Sequence, residues 1–357
     1  MDAIVTAGGI PQPNDPLYTY AQGSSKALLD IAGKPMIQWV LDALSEAKNV
    51  DNVIVIGLTA KSGLTCKKPL YYLSNQGRML SNIVAGVNKA LELNPQTEYV
   101  LIVSSDIPAM RSEHVDWLID TCMQTQADIY YGVCPREVME TRFPNSHRTY
   151  TKLKDMQVCG ADMNITHVRM ATEHLDMWEQ LIGNRKSPVR QAATIGFGTL
   201  FMLITGQLTL TDAVERITKR IGITGRPIVW EHAEPCMDVD KPHQLELLRE
   251  DMAARVEAES ASRAEEAGAA ESAPKPVRRT RKPAAKKTET KPRAKAATKK
   301  EPARAKAVKK PAAQTESQPA EAEAPARVKS VKKPAAKTPR SKPTPKEKSV
   351  AVKPKKK

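Results

Sequence analysis

The chain has 357 residues with 55 Lys+Arg against 40 Asp+Glu, and the charge is split unevenly along it. From Ala253 to the end there are 31 Lys+Arg and 11 Asp+Glu, a net +20, which leaves the first 252 residues mildly acidic at −5. Every Trp, Tyr and Phe lies at or before Trp230 and 13 of the 26 prolines follow Ala273, so the C-terminal stretch lacks the side chains of a core and a second catalytic domain there is excluded.

The N-terminal 250 or so residues are enough for one large α/β domain. The opening MDAIVTAGG carries an acidic Asp2 and no basic leader, which predicts neither a secretory signal nor a transit peptide. Ala3 to Thr6 reads as a buried strand, and Pro35 opens a helix with Met36, Ile37, Val40, Leu41 and Leu44 on one face. Val53 to Gly57 is a second strand and Tyr71 to Leu73 a third. A helix over Met79 to Leu91 follows, with Leu80, Ile83, Val84, Val87 and Leu91 turned inward. Val100 to Val103 is a fourth strand, and a helix over Val115 to Gln124 leads into the strand Asp128 to Val133. This repetition predicts a doubly wound, mostly parallel, Rossmann-like α/β sheet with right-handed crossovers and helices on both faces.

From Arg148 the pattern changes to short polar–apolar alternation, TYTKL and MQVCG, which predicts a hairpin. Three helical stretches follow, near Ala171 to Ile182, Pro188 to Ile204 and Leu210 to Ile221, then a strand at Pro227 to Trp230 and a closing helix from Pro242 that loses its apolar face after Val256. The expected organisation is a folded domain over 1–252, a helical extension or linker over 253–272, and a disordered Lys/Ala/Pro-rich tail over 273–357. KPAAKK at Lys282, KKPAAQ at Lys309 and KKPAAK at Lys332 repeat within that tail, where frequent proline prevents a long helix and like charges extend the chain. No stretch has the 18 or so apolar residues of a membrane helix; the longest candidate, Ile195 to Leu210, is broken by Gly196, Gly198 and Gly206. The five cysteines show no CxxC spacing, which argues against a disulfide framework or a zinc site and fits a reducing cytoplasm.

The chemistry concentrates in Ala7 to Pro35. Gly8 and Gly9 stand at the end of the first strand, where a doubly wound sheet binds ligands and glycine lets backbone N–H groups approach phosphate. Lys26 ends a Gly/Ser-rich loop on which no Walker A pattern can be placed. Alone, these residues read as a glycine turn and a surface lysine. In order, Ala7-Gly8-Gly9 followed by KALLDIAGKPMI over Lys26 to Ile37 resembles the signature of the MobA-like NTP transferase family, the relatives of molybdenum cofactor guanylyltransferase and of sugar-phosphate nucleotidyltransferases.

The resemblance runs from about Met1 to Leu248 and implies a nucleotidyltransferase in which Ala7, Gly8, Gly9 and Lys26 hold an NTP triphosphate. It implies Mg²⁺ on Asp106 of SSDIPAM and Asp240 of MDVDKPHQLELL, a hard cation suited to two carboxylates plus phosphate oxygens. It places Gln76, Gly77 and Ser81 of NQGRMLSNIVAG at the base and ribose, although a strand-closing glycine before a helix explains the same residues. RTYTKLKDMQVCGADMNIT resembles the family segment that faces the acceptor, with Gly160 and Asp162 as contacts. Two departures stand out. The loop before Lys26 has no arginine where the family carries one, and Cys159-Gly160-Ala161-Asp162 replaces a Thr-Gly-Gly-Asn.

The implied reaction moves an NMP from an NTP to a small phosphorylated acceptor and releases pyrophosphate. The six histidines show no HxxxH or HxxE spacing. The two departures keep open a second reading, a catalytically inactive nucleotidyltransferase fold acting as a nucleoid-associated or scaffold protein. The tail, dense in Lys and Arg and free of aromatic residues, is expected to bind nucleic acid without sequence preference; a solubilising tail with no partner is the alternative. The expected location is the cytoplasm, with nucleoid association through that tail.

Overall fold

A run of small and β-branched side chains, Ala3-Ile4-Val5, makes β1 (Asp2–Thr6) a strand buried on both faces. The computed structural model describes residues 1–173 and 196–272 together with Leu175 and Glu179, all in the first, Met1–Arg278, of the two units into which the chain divides. After β1 come a single helical turn, α1 (Tyr18–Ala21), and a small antiparallel hairpin of β2 (Asp30–Ile31) and β3 (Lys34–Pro35). Ala32 (φ 50°) and Gly33 (φ 82°) close that hairpin in the left-handed region that a two-residue turn of this twist requires. α2 (Met36–Glu46) starts directly after Pro35, as the sequence predicts, and buries Met36, Ile37, Val40, Leu41 and Leu44 together with Trp39.

β4 (Val53–Ile56), β5 (Leu70–Leu73), α3 (Met79–Leu93), β6 (Tyr99–Ser104), α4 (Ser112–Cys122) and β7 (Ile129–Pro135) follow within a few residues of the expected positions. Next are α5 (Arg136–Arg142), the hairpin of β8 (Thr151–Lys152) and β9 (Gln157–Gly160), β10 (Met163–His167) and α6 (Arg169–Thr172). Beyond residue 195 stand α7 (Phe197–Ile204), α8 (Leu210–Ile221), β11 (Gly225–Val229) and α9 (Pro242–Ser272). Of the helices expected near Ala171 to Ile182 and Pro188 to Ile204, residues 174, 176–178, 180–182 and 188–195 lie outside the described residues, as does the expected tail 273–357.

β5, β4, β1 and β6 are parallel neighbours in that order. β10 then pairs antiparallel with β6 (Asn164 opposite Ile102), and β7 pairs with β10 and β9 antiparallel and with β11 parallel. The sheet is therefore doubly wound and mostly parallel, with β10 as an inserted antiparallel strand in its middle. Sequence reading stops the hairpin at Gly160 and does not foresee β10; its five residues alternate, with Met163 and Ile165 fully buried on one face and Asn164 and Thr166 on the other. β1 lies between β4 and β6, and the chain runs outward from it in both directions. This is the switch point at which a crevice opens beyond the strand ends.

Each face of the sheet carries an apolar layer. Ala3, Val5, Leu101 and Val103 pack with α2, α4 and the first turns of α9 on one side; Ile4, Ile54, Ile56 and Val100 pack with α3 on the other. Along α9, Leu245, Leu248 and Met252 are fully buried and Val256 still touches the core, whereas Glu257 to Ser262 are exposed. No helix among the described residues is long and apolar enough to cross a membrane.

Candidate active site

The loop after β1 is tied down from below by Ser25. Its hydroxyl donates to the Ala7 carbonyl at 2.7 Å, lies 3.2 Å from the Gly9 carbonyl and caps the turn Lys26–Leu28 by accepting from Ala27 N. The Lys26 amide donates to the Gly9 carbonyl at 3.0 Å. These bonds bring KAL back against AGG, which the residue spacing alone could not show. Gly57, at the end of β4 with φ 102°, packs its backbone on Gly8 so closely that a Cβ there would come within 2.5 Å of Gly8 N. Asn75 closes the other side: its Nδ2 donates to the Gly8 carbonyl at 2.9 Å while its Oδ1 accepts from Gly77 N at 2.9 Å and from Asn82 at 3.2 Å. Asn82, buried on α3, accepts from Gln76 N at 2.6 Å. Gln76 and Gly77 are thus held as an exposed loop beside Gly8, and Ser81, half-buried in the first turn of α3, has no hydrogen bond to the other candidate residues.

Lys26 joins the three segments on which the charge lies. Its Nζ is 2.6 Å from Asp106 Oδ2 and 2.8 Å from Asp240 Oδ1, and it also donates to the Val239 carbonyl at 3.3 Å. Asp106 follows β6 and is almost fully buried; Asp240 precedes α9 and is exposed, and Val239 N bonds the Asp106 carbonyl at 3.0 Å. Burial works against the Lys26 ammonium, but the two carboxylates outweigh it and raise its pKa above the ordinary lysine value. Burial likewise opposes Asp240, and Lys26 overcomes it to hold that carboxyl below its usual range.

The acceptor-side residues form a second corner next to the first. Arg148 ion-pairs with buried Asp238, lies 3.7 Å from Asp162 Oδ2 and donates to the Gly160 carbonyl at 3.2 Å. Burial, then the nearby charge of Asp106, pushes the Asp162 carboxyl up to about 7 even with Arg148 beside it. Three carboxylates, Asp106, Asp162 and Asp240, therefore crowd one crevice. Asp106 Oδ1 is buried with no hydrogen-bond partner among the described residues. A buried carboxylate oxygen left unpaired beside a further carboxylate is the donor set a hard divalent cation takes. Sequence reading missed Arg148, Asp238, Asn75 and Ser25 as site-shaping residues. Arg148, Asp238 and Asn75 stand within the quoted motifs, and the signal for Asp238 is its place two residues before Asp240.

A second group, His114, His232 and Glu234, has ligand atoms within 4.8 Å of one another. His114 Nδ1 accepts from Arg111 N, which puts the neutral ring's proton on Nε2 and leaves neither nitrogen as a metal donor; Glu234 is bonded to Arg142 at 2.8 Å.

Residues 4–187 match the MobA-like NTP transferase domain. The chain belongs to this family. As a MobA-like protein it is 28% identical to a solved hypothetical transferase from Thermus thermophilus, with a TM-score of 0.59 over 68% of this chain and 98% of that one. It is 30% identical over 97 residues to a probable molybdenum cofactor guanylyltransferase of Thermococcus gammatolerans, a stretch that is 27% of this chain. The chain spans about half the length of that curated relative, 48%.

Proposed function

We propose that this MobA-like domain is a Mg²⁺-dependent nucleotidyltransferase that moves an NMP from an NTP to a phosphorylated acceptor and releases pyrophosphate. The observation that carries the reading is Lys26, whose ammonium bridges Asp106 and Asp240 directly beside the Gly8–Gly9 turn. Phosphate oxygens of an NTP approach the N–H groups of Gly8 and Gly9 and take over part of the Lys26 charge. Asp106 and Asp240 hold the divalent ion, which when bound offsets charge at the α-phosphate. Gln76 and Gly77 meet the nucleoside end, and the Gly160–Asp162 corner, organised by Arg148, meets the acceptor. An acceptor phosphate is ionised at neutral pH, so the chain supplies position and charge and no general base. The lysine-rich residues 273–357 add non-specific affinity for nucleic acid.

The test is pyrophosphate release from ATP, GTP, CTP and UTP with Mg²⁺ and a panel of phosphorylated acceptors, after thermal shift has ranked the nucleotides. Lys26→Ala is expected to weaken nucleotide binding and to slow turnover together, since the ammonium meets phosphate before and during transfer. A Lys26→Ala protein with unchanged nucleotide affinity removes the phosphate-loop reading. Absence of turnover with every nucleotide, despite tight NTP binding, favours the non-catalytic scaffold.

A further inference from the structure

Between the sheet and the pair α3 and α8 lies a cavity of about 430 Å³, within the size range of small-molecule sites. Its walls are Met79 and Ile83 of α3, Ile102 of β6, Ile129 of β7, Ile217 of α8 and Ile223. Of the polar groups in the wall, Arg226 and Tyr131 stand at its exposed rim, and the inward ones are already engaged. Asn164 accepts from Gly132 N at 2.8 Å and donates to the Ala161 carbonyl at 3.1 Å, Thr166 donates to the Asp128 carbonyl at 3.1 Å, and Thr218 donates to the Val214 carbonyl at 2.8 Å. Water inside would find few partners, and an apolar group would lose nothing by replacing it.

Tyr131 stands between the cavity and the acceptor corner. That side chain lines the cavity, is 49% exposed, and has no hydrogen-bond partner among the described residues. Its hydroxyl is against Gly160: a Cβ built on Gly160 would lie 2.5 Å from it. On the other flank Met79 follows Gly77 and Arg78, the loop beside Gly8. A phosphate held at the Gly160–Asp162 corner would have the Tyr131 ring beside it, and that ring is the side chain shared with the isoleucine-lined space.

We infer that the acceptor is an amphiphile, a phosphate ester whose body is apolar and is buried between β10, α3 and α8, with Tyr131 at the junction of its polar and apolar parts. This rests on the proposed transferase reading for the chemistry and on the cavity alone for the shape of the acceptor. Burying a methylene is worth a factor of about four in affinity, so binding that follows chain length is a direct readout of the cavity.

The probes are methyl, butyl, hexyl and octyl phosphate, titrated calorimetrically into the full chain without nucleotide and then offered as acceptors with each NTP. Expected is a rise in affinity of about fourfold per methylene until the cavity is full, carried into KM in the transfer assay. Ile217→Trp, which fills the space, is expected to abolish the gain while leaving NTP thermal shift and methyl phosphate binding unchanged; Val214→Phe serves where the tryptophan variant does not fold. Equal binding of methyl and octyl phosphate, with NTP binding intact, overturns the inference and leaves the transferase reading standing. Failure of every NTP to bind, with the chain-length dependence present, removes the transferase reading and keeps the cavity. Displacement of an anilinonaphthalene sulfonate probe by octyl phosphate is the independent check. A wild-type protein that binds neither, and whose Ile217→Trp variant unfolds, shows that the chain's own residues occupy the space and also overturns the inference.

Discussion

Asp106 and Asp240 contact the same ammonium yet differ in surroundings, and that difference makes a prediction. Asp106 is buried, so Asp106→Asn leaves Lys26 with one carboxylate in a low-dielectric crevice and costs stability, roughly 1–3 kcal/mol, in addition to turnover. Asp240 has a 58% exposed side chain, and Asp240→Asn is expected to cut turnover by a hundredfold or more with little change in denaturant midpoint. Activity assays beside urea titrations of both variants check this; near-normal rates in either remove its carboxylate from the metal. Two glycines at this corner, Gly57 packed on Gly8 and Gly9 beside Lys26, differ in the same way. Gly57→Ala forces a left-handed alanine and a clash with Gly8 backbone, for an expected loss of about 2 kcal/mol or more, whereas a Cβ on Gly9 meets nothing nearer than Lys26 Cε at 3.8 Å. Gly9→Ala should thus keep its Tm and lose nucleotide affinity. Gly8, Gly9, Lys26 and the two aspartates were legible because a rare order of motifs carries them. Ser25, Asn75 and Arg148 act through bonds to backbone elsewhere in the chain, such as Asn75 to Gly8 across 67 positions, and their place in or beside a motif does not show which backbone group they hold.

At the level of elements, a single carboxylate fastens the far end of the sheet. Asp128 precedes β7, is almost fully buried, accepts from Thr224 N and Thr224 Oγ1 at 2.7 Å each, and ion-pairs with Arg169 of α6. Burial alone would raise its pKa, but the bonds to Arg169 and Thr224 outweigh burial and hold it at about 2. Since the folded value is below the unfolded one of about 4, the stabilisation is present above pH 4 and is lost as pH falls through 2. The gap in stability between wild type and Asp128→Asn is expected to shrink by the order of 2 kcal/mol between pH 5 and pH 2, read from denaturation midpoints; a constant gap excludes the staple. The parallel strands and their helices were readable from long apolar periods. β10 was not, because five residues with polar Asn164 and Thr166 give too short an alternation, and its place depends on β6 and β7 pairing from either side.

On the scale of the whole chain, the last apolar contact of α9 with the core among the described side chains is Val256, and Glu257 to Ser262 are already exposed. The sequence beyond it lacks Trp, Tyr and Phe and carries most of the positive charge, a composition that offers little apolar surface to offset the entropy of ordering. A chain truncated after Ser260 is therefore expected to keep the thermal stability and the transferase activity of the full-length protein. Affinity for duplex DNA should go with the removed residues, because Lys and Arg contacts to phosphate gain their strength from released counterions and need no folded reader. For the full chain, log affinity should fall linearly and steeply with log salt, with one slope for two duplexes of unrelated sequence, and the truncated chain should show almost no slope. A truncated chain that binds DNA as tightly as the full one places the nucleic-acid surface on the folded domain. A full chain that strongly prefers one duplex requires contacts to base edges, which counterion release alone does not provide, and overturns the non-specific reading of the tail.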